Sequence, residues 1–228
     1  MNAGPNDDGA IKPTQNAEAG LLARVDHLVY AVPELDSGIE HVERLLGVRA
    51  TPGGRHAGRG THNALVALGA RTYLEIIGPD PEQAGVSGPV WFGIDRLTEP
   101  ALVTWAVAAS DLEGIVASSA QNGITLGNII SGGRTRTDGV ELRWRYTDPL
   151  RLIADGIVPF FIDWADSPHP AQTAAQGASL AALRAEHPQP EAVREMLRAL
   201  GCEMPVLPAP QPALIATIDC PRGRIELR

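Results

Sequence analysis

Val25-Asp26-His27-Leu28-Val29-Tyr30-Ala31-Val32, ended by Pro33, decides the fold. β-Branched and aromatic residues fill it and a proline closes it, so it reads as a strand. After it, Leu35, Ile39, Val42, Leu45 and Leu46 recur at helical spacing, and Gly47 stops the helix. Residues 51–60 are glycine-rich and turn-like, with a short strand expected near residues 48–51. Residues 63–68 and 72–77 read as two more strands that turn at Gly69-Ala70-Arg71. The unit is β-α-β-β-β.

The same order then returns. Residues 102–108 form a strand. Ser110-Asp111-Leu112-Glu113 reads as a capping box, the serine oxygen and the glutamate carboxylate satisfying free amides at a helix start. Leu112, Ile115 and Val116 give that helix its buried face, and strands follow near residues 126–130, 140–146 and 158–164. Tyr30-Ala31-Val32 before Gly38-Ile39 is echoed by Trp105-Ala106-Val107 before Gly114-Ile115. A third copy runs from a strand at residues 179–186, where a helix would also suit Leu180-Ala181-Ala182-Leu183-Arg184, through a helix at 191–200 to strands at 212–218 and 224–227. Repeats of one supersecondary unit bury their sheets against each other. The expectation is an α+β fold: modules of about residues 24–80, 101–166 and 178–228, a cupped mixed β-sheet, and helices outside. Residues 1–23 read as a disordered polar leader without the apolar core of a signal peptide.

Composition narrows the function. The chain has 228 residues, 44% of them hydrophobic and 20% charged, which is ordinary globular usage. Lys+Arg is 19 against Asp+Glu 27, a net charge of −8, which disfavours nucleic acid and anionic membranes as partners. Lys12 is the only lysine, so a Gly-Lys-Ser/Thr phosphate loop and a Schiff-base lysine in a pocket are both excluded. Cys202 and Cys220 lack metal-site spacing and read as reduced thiols of a cytoplasmic protein. Serine-hydrolase elbows and zinc-protease helix motifs are absent.

Four segments together carry a family resemblance. Asp26-His27-Leu28-Val29-Tyr30-Ala31-Val32 opens the first unit, Gly60-Thr61-His62-Asn63 lies within it, and Tyr73-Leu74-Glu75-Ile76-Ile77-Gly78-Pro79 closes it. Pro159-Phe160-Phe161-Ile162-Asp163-Trp164 with His169-Pro170 comes later. From about residue 24 onward the chain resembles the vicinal oxygen chelate superfamily and, within it, the glyoxalase-like proteins (the glyoxalase/bleomycin resistance/extradiol dioxygenase fold). The resemblance implies paired modules cupped around a small-molecule pocket. It also implies one divalent metal (Zn, Fe, Mn or Ni), or none, held by a histidine on a first strand and a glutamate on a last strand. Here those are His27 and Glu75. Leu102 stands where the second histidine is expected, and Ile162 or Asp163 falls opposite Glu75. Glu226, in the third unit, is the better match to a closing-strand glutamate, so the usual ligand set is incomplete.

The residues themselves add candidates. Side chains two apart share a strand face, so His27 is expected beside Val25 and Val29, and Glu75 beside Tyr73 and Ile77. His169, between two prolines, is a candidate general acid or base with Glu75. Asn63 is a candidate to orient a carbonyl or hydroxyl. Arg143 and Arg145 would clamp an anion if their strand face lines the cup, and Trp105 and Trp164 would wall it. His41, His56 and His187 read as surface. The expected function is a lyase, isomerase, epimerase or oxygenase acting on a small, anionic carbonyl or hydroxyl compound, as a monomer or homodimer. The alternative is a metal-free protein that sequesters an apolar ligand, as bleomycin-resistance relatives do.

Overall fold

The computed structural model describes residues 15–83, 85, 91–136 and 138–228. The β-α-β-β-β order occurs three times. A helix α1 (Gln15–Leu22) precedes β1 (Val25–Ala31), α2 (Leu35–Leu46), β2 (Thr51–His56), β3 (Thr61–Gly69) and β4 (Thr72–Pro79). The second unit is β5 (Ala101–Ala108), α3 (Leu112–Gln121), β6 (Ile129–Thr135), β7 (Glu141–Thr147) and β8 (Phe160–Asp163). The third is β9 (Ser179–His187), α4 (Pro190–Ala199), β10 (Val206–Pro208), β11 (Ala213–Cys220) and β12 (Gly223–Leu227). Among the described residues no helix is long and apolar enough to cross a membrane.

The first two units share one eight-stranded sheet in the order β2-β3-β4-β1-β5-β8-β7-β6. In each, the first strand pairs parallel with the last, β1 with β4 and β5 with β8, and antiparallel β1–β5 pairing joins the halves. The sheet curls until its edge strands β2 and β6 approach each other, and the Arg134 guanidinium donates to the Gly53 carbonyl across that seam. The third unit keeps the chain order but pairs differently. Its four strands run β10-β9-β11-β12, so β12 is an edge beside β11 rather than a partner of β9.

The curl sorts side chains into two clusters. The concave face gathers Val29, Leu65, Tyr73, Ile77, Trp144, Tyr146 and Phe160. The convex face, with Leu28, Leu74, Ile76, Trp105 and Phe161, packs under α2 and against third-unit residues such as Leu183, Leu214 and Ile218. Helix α2 turns its buried Leu35, Gly38, Val42 and Leu46 to that face. Glu34 caps its N-terminus by accepting from the Asp36 and Ser37 amides, and Gly47 ends it in a left-handed conformation.

Several expectations need correction. The leader is helical over Gln15–Leu22, with Leu21 buried in the convex core, and residues 1–14 lie outside the described residues. Residues 51–56 of the glycine-rich stretch form a strand, because its glycines let β3 and β6 come close; a Cβ on Gly53 would lie 2.2 Å from Asn63 Oδ1. The cap of α3 is Asp111, which accepts from the Gly114 amide. Glu113 reaches out to Arg145 instead of closing a box. Residues 179–187 are the expected strand, since pairing on both sides outweighs the helical preference of Leu-Ala-Ala-Leu. A bulge at Asp26 turns Val25 to the convex cluster, away from His27. Leu102 packs in the same convex core.

Gly156 tests how the β7–β8 connection packs on β5. Its φ is +86°, and a Cβ there would meet the Val103 carbonyl oxygen at 1.8 Å. Gly156→Ala is expected to lower the unfolding free energy by roughly 2–4 kcal/mol, from strain and overlap together, measured by urea denaturation. An unchanged midpoint would refute this packing.

Candidate functional site

The concave face holds a buried polar chain. The bulge at Asp26 lets two consecutive residues of β1 meet, and His27 Nδ1 lies 2.7 Å from Asp26 Oδ1. Asp26 is 0% exposed. Trp164 Nε1 donates to both of its oxygens, at 3.2 and 3.0 Å. His169 Nε2 is 3.1 Å from Oδ2, and the Ala171 amide donates to His169 Nδ1. That amide makes Nδ1 an acceptor in neutral His169, so Nε2 carries the proton and donates to Asp26. Burial pushes the Asp26 carboxyl up, but hydrogen bonds from His169 and His27, and then their charges, outweigh it and hold the carboxyl at about 2. Asp26 is therefore ionised at neutral pH. It accepts Nδ1–H of His27 and leaves Nε2 pointing into the hollow.

His27 Nε2 lies 3.9 Å from Glu75 Oε2. The β1–β4 register produces this meeting by pairing Val29 with Glu75, two residues along from His27 on the same face. Tyr73 stacks on the His27 ring at 4.7 Å, and Phe160 meets it edge-on at 5.4 Å. Glu75 Oε1 accepts from Asn63 Nδ2 at 2.5 Å. The other Nδ2 hydrogen faces His56 Nε2 at 3.4 Å, and His56 Nδ1 is 2.9 Å from Thr61 Oγ1. Burial pulls the His56 pKa down to about 4, so the ring is neutral at pH 7. Asn63 Oδ1 and Tyr146 Oη are buried without a partner among the described residues.

These groups line a hollow with about 460 Å³ of empty space, part of it open to solvent. Arg134, Trp91, Phe92, Trp144, Tyr146, Phe160 and Trp164 form the rest of its wall. Aromatic walls with a few converging polar groups are the character of small-molecule sites.

The structure thus brings His27, Glu75, Asn63 and Trp164 together around the hollow, with His169 behind them on Asp26. It separates the other candidates. Trp105 faces the convex core and donates to the Ile157 carbonyl. Arg143 and Arg145 lie on the outer side of β7, paired with Glu141 and Glu113, because Leu142, Trp144 and Tyr146 take the concave side. Glu226 sits on the edge strand β12 and pairs with Arg184. Two histidines read as surface are buried: His56 in the hollow, and His187 against Asp155 at 3.2 Å. His41 is half-buried, its ring 6.4 Å from that of Tyr30.

Sequence reasoning missed Asp26, His56 and Arg134. Only Asp26 left a signal, as a carboxylate inside an apolar strand, where an uncompensated charge is costly. For an implied metal the donor set falls short. Among the described residues no three His, Cys, Asp or Glu side chains are placed to hold an ion. Asn63 Nδ2 occupies the position between Glu75 and His56, and the second unit offers Ala106, Phe160 and Ile162 on the concave face.

Curled paired modules around such a hollow define a glyoxalase-like fold. The profile of the glyoxalase-like domain matches residues 25–201, and the chain belongs to that family. No match was found among the curated proteins. Among solved structures, a hypothetical protein from Staphylococcus aureus superposes with a TM-score of 0.61 at 15% identity, over 89% of this chain and 83% of that one, a likeness of fold. Methylmalonyl-CoA epimerase from Mycobacterium tuberculosis is matched at TM-score 0.42 and 21% identity, over 64% of this chain and 90% of that one. A Streptomyces coelicolor methylmalonyl-CoA epimerase variant in complex with 2-nitronate-propionyl-CoA is matched at 0.42 and 19%, over 64% and 98%.

The buried chain makes stability acid-sensitive in two windows. His56 has its pKa lowered from 6.5 to about 4 on folding. The unfolded chain binds that proton first, so stability falls by about 3 kcal/mol as pH drops from 6.5 to 4. Asp26 goes from 3.8 to about 2, and its contribution of about 2 kcal/mol is full above pH 4 and lost as pH falls to 2. Urea unfolding at a series of pH values is expected to show both. His56→Gln should flatten the upper window alone; an identical slope in that variant would disprove the assignment.

Proposed function

We propose that this protein is a small-molecule enzyme that moves a proton at a carbon next to a carbonyl, in a lyase or isomerase reaction. One observation carries the reading: Glu75 and the Nε2 of His27 face each other at 3.9 Å inside an aromatic hollow, and the far nitrogen of His27 is held by an ionised carboxylate. His27 Nε2, with its lone pair free, accepts the proton from the substrate carbon. Asp26 stabilises the imidazolium that forms, and the electron pair moves onto the carbonyl oxygen as an enolate. The carboxylic acid form of Glu75 returns a proton to the enolate, and the imidazolium of His27 then passes its proton to the Glu75 carboxylate, which restores both groups. Asn63 bonds Glu75 and fixes which carboxylate oxygen faces the substrate. His169 and Trp164 act through Asp26 and are positioning residues.

The oxygenase reading needs an ion with several protein ligands, which the donor set does not supply, so a metal-free acid–base reaction is favoured. The third unit buries much of the convex face, which supports a monomer. The free thiols Cys202 and Cys220 accord with a reducing compartment such as the cytoplasm. The competing reading, a protein that only sequesters its ligand, is favoured by the walls of Trp91, Trp144 and Trp164.

Deuterium exchange separates the two. Protein in D₂O is incubated with a panel of small carbonyl compounds, and loss of the α-proton is followed by NMR. Exchange in at least one compound is expected, and Glu75→Gln or His27→Asn should slow it by about 10²–10⁴-fold. Ligands that bind without exchange, or exchange at full rate in both variants, would remove the enzyme reading.

A further inference from the structure

Arg134 lines the hollow and has no role in the proton-transfer reading. It lies on β6 opposite Leu142 of β7, so it shares the concave face with Leu142, Trp144 and Tyr146. Only 8% of it is exposed. A guanidinium has five N–H donors and keeps its charge in a protein. One of them reaches the Gly53 carbonyl across the seam, and among the described residues no carboxylate forms an ion pair with this guanidinium. Its neighbours at the seam differ. Arg55 is paired with Glu82, Arg136 with Asp138 and Arg143 with Glu141. A buried cation without an anion is costly. Arg134 also belongs to both the hollow and the adjoining cavity between β2 and β6. The hydroxyl of Tyr146, buried on the same face, has no partner among the described residues.

Glu75, in the same lining, acts on Arg134 only at a distance and forms no ion pair with it, so among the described residues the guanidinium keeps donors for a ligand. We infer that the hollow takes a carboxylic acid with an aromatic or apolar body, and that Arg134 binds its carboxylate. Guanidinium and carboxylate match as a bidentate pair, and Tyr146 Oη is free to donate to the same group or to a neighbouring oxygen. Trp91, Phe92 and Phe160 surround the body. This rests on the hollow being the ligand site proposed above, and it names the class of substrate. It also replaces the expected clamp of Arg143 and Arg145 with one cation from the neighbouring strand.

Benzoate and its neutral isostere benzamide are the probes, and quenching of the wall tryptophans is the readout. Benzoate is expected to quench saturably and to bind at least about tenfold more tightly than benzamide. Arg134→Gln should weaken benzoate by a similar factor and leave benzamide unchanged. If Arg134 serves only to close the seam, the variant melts earlier but binds benzoate as the wild type does, which overturns the inference. Equal affinity of the wild type for both probes, or no quenching by benzoate, also overturns it, and decides the matter even if the variant fails to fold. Glu75→Gln, which abolishes exchange under the proton-transfer reading, should still bind benzoate. Benzoate binding without proton exchange in any carbonyl acid would sink that reading and leave this one standing.

Discussion

The site depends on one buried charge. Asp26 has no exposure, and three side chains meet it in four contacts: His27, His169, and Trp164 bonding to both oxygens. A carboxylate in such a place is tolerable only when its lone pairs are filled. The partners come from the start of the first unit and from the end of the second and the loop beyond it. The ion therefore ties the halves of the curled sheet together at the point where the hollow begins. It also decides which nitrogen of His27 is left facing the hollow, and so fixes the direction of that ring.

Curling supplies the rest. A flat sheet would place Arg134 and Asn63 on distant edges. Here the β2 and β6 edges meet, the glycines of β2 admit Asn63 and Arg134 at close range, and the hollow closes on polar groups at one side and rings at the other. The two units are alike in strand order but unlike in chemistry. The first contributes His27, His56, Asn63 and Glu75, and the second contributes mainly Trp144, Tyr146, Phe160 and Trp164. That asymmetry suits a ligand with an apolar body and one reacting end better than an ion ringed by four donors.

The third unit shows how the same order of elements yields different pairings. Its last strand lies outside β11 instead of beside β9, so Glu226 ends on an edge with Arg184 rather than opposite a first-strand residue. A local pattern of strands and turns does not encode which strands become neighbours, since that depends on which apolar faces find each other.

Local patterning was enough for the three-fold β-α-β-β-β order and for α2 with its Gly47 stop. Each follows from the spacing of apolar residues within one element. The direction of the Asp26 side chain depended on a bulge in pairing with β5. Burial of His56, in a stretch that reads as a turn, depended on β6 closing over the edge strand. The outward turn of Arg143 and Arg145, with Arg134 inward in their stead, depended on which face of the β6–β7 pair became concave. Alternation along a strand divides its residues into two sets, but only the curvature of the assembled sheet chooses the set that meets the ligand.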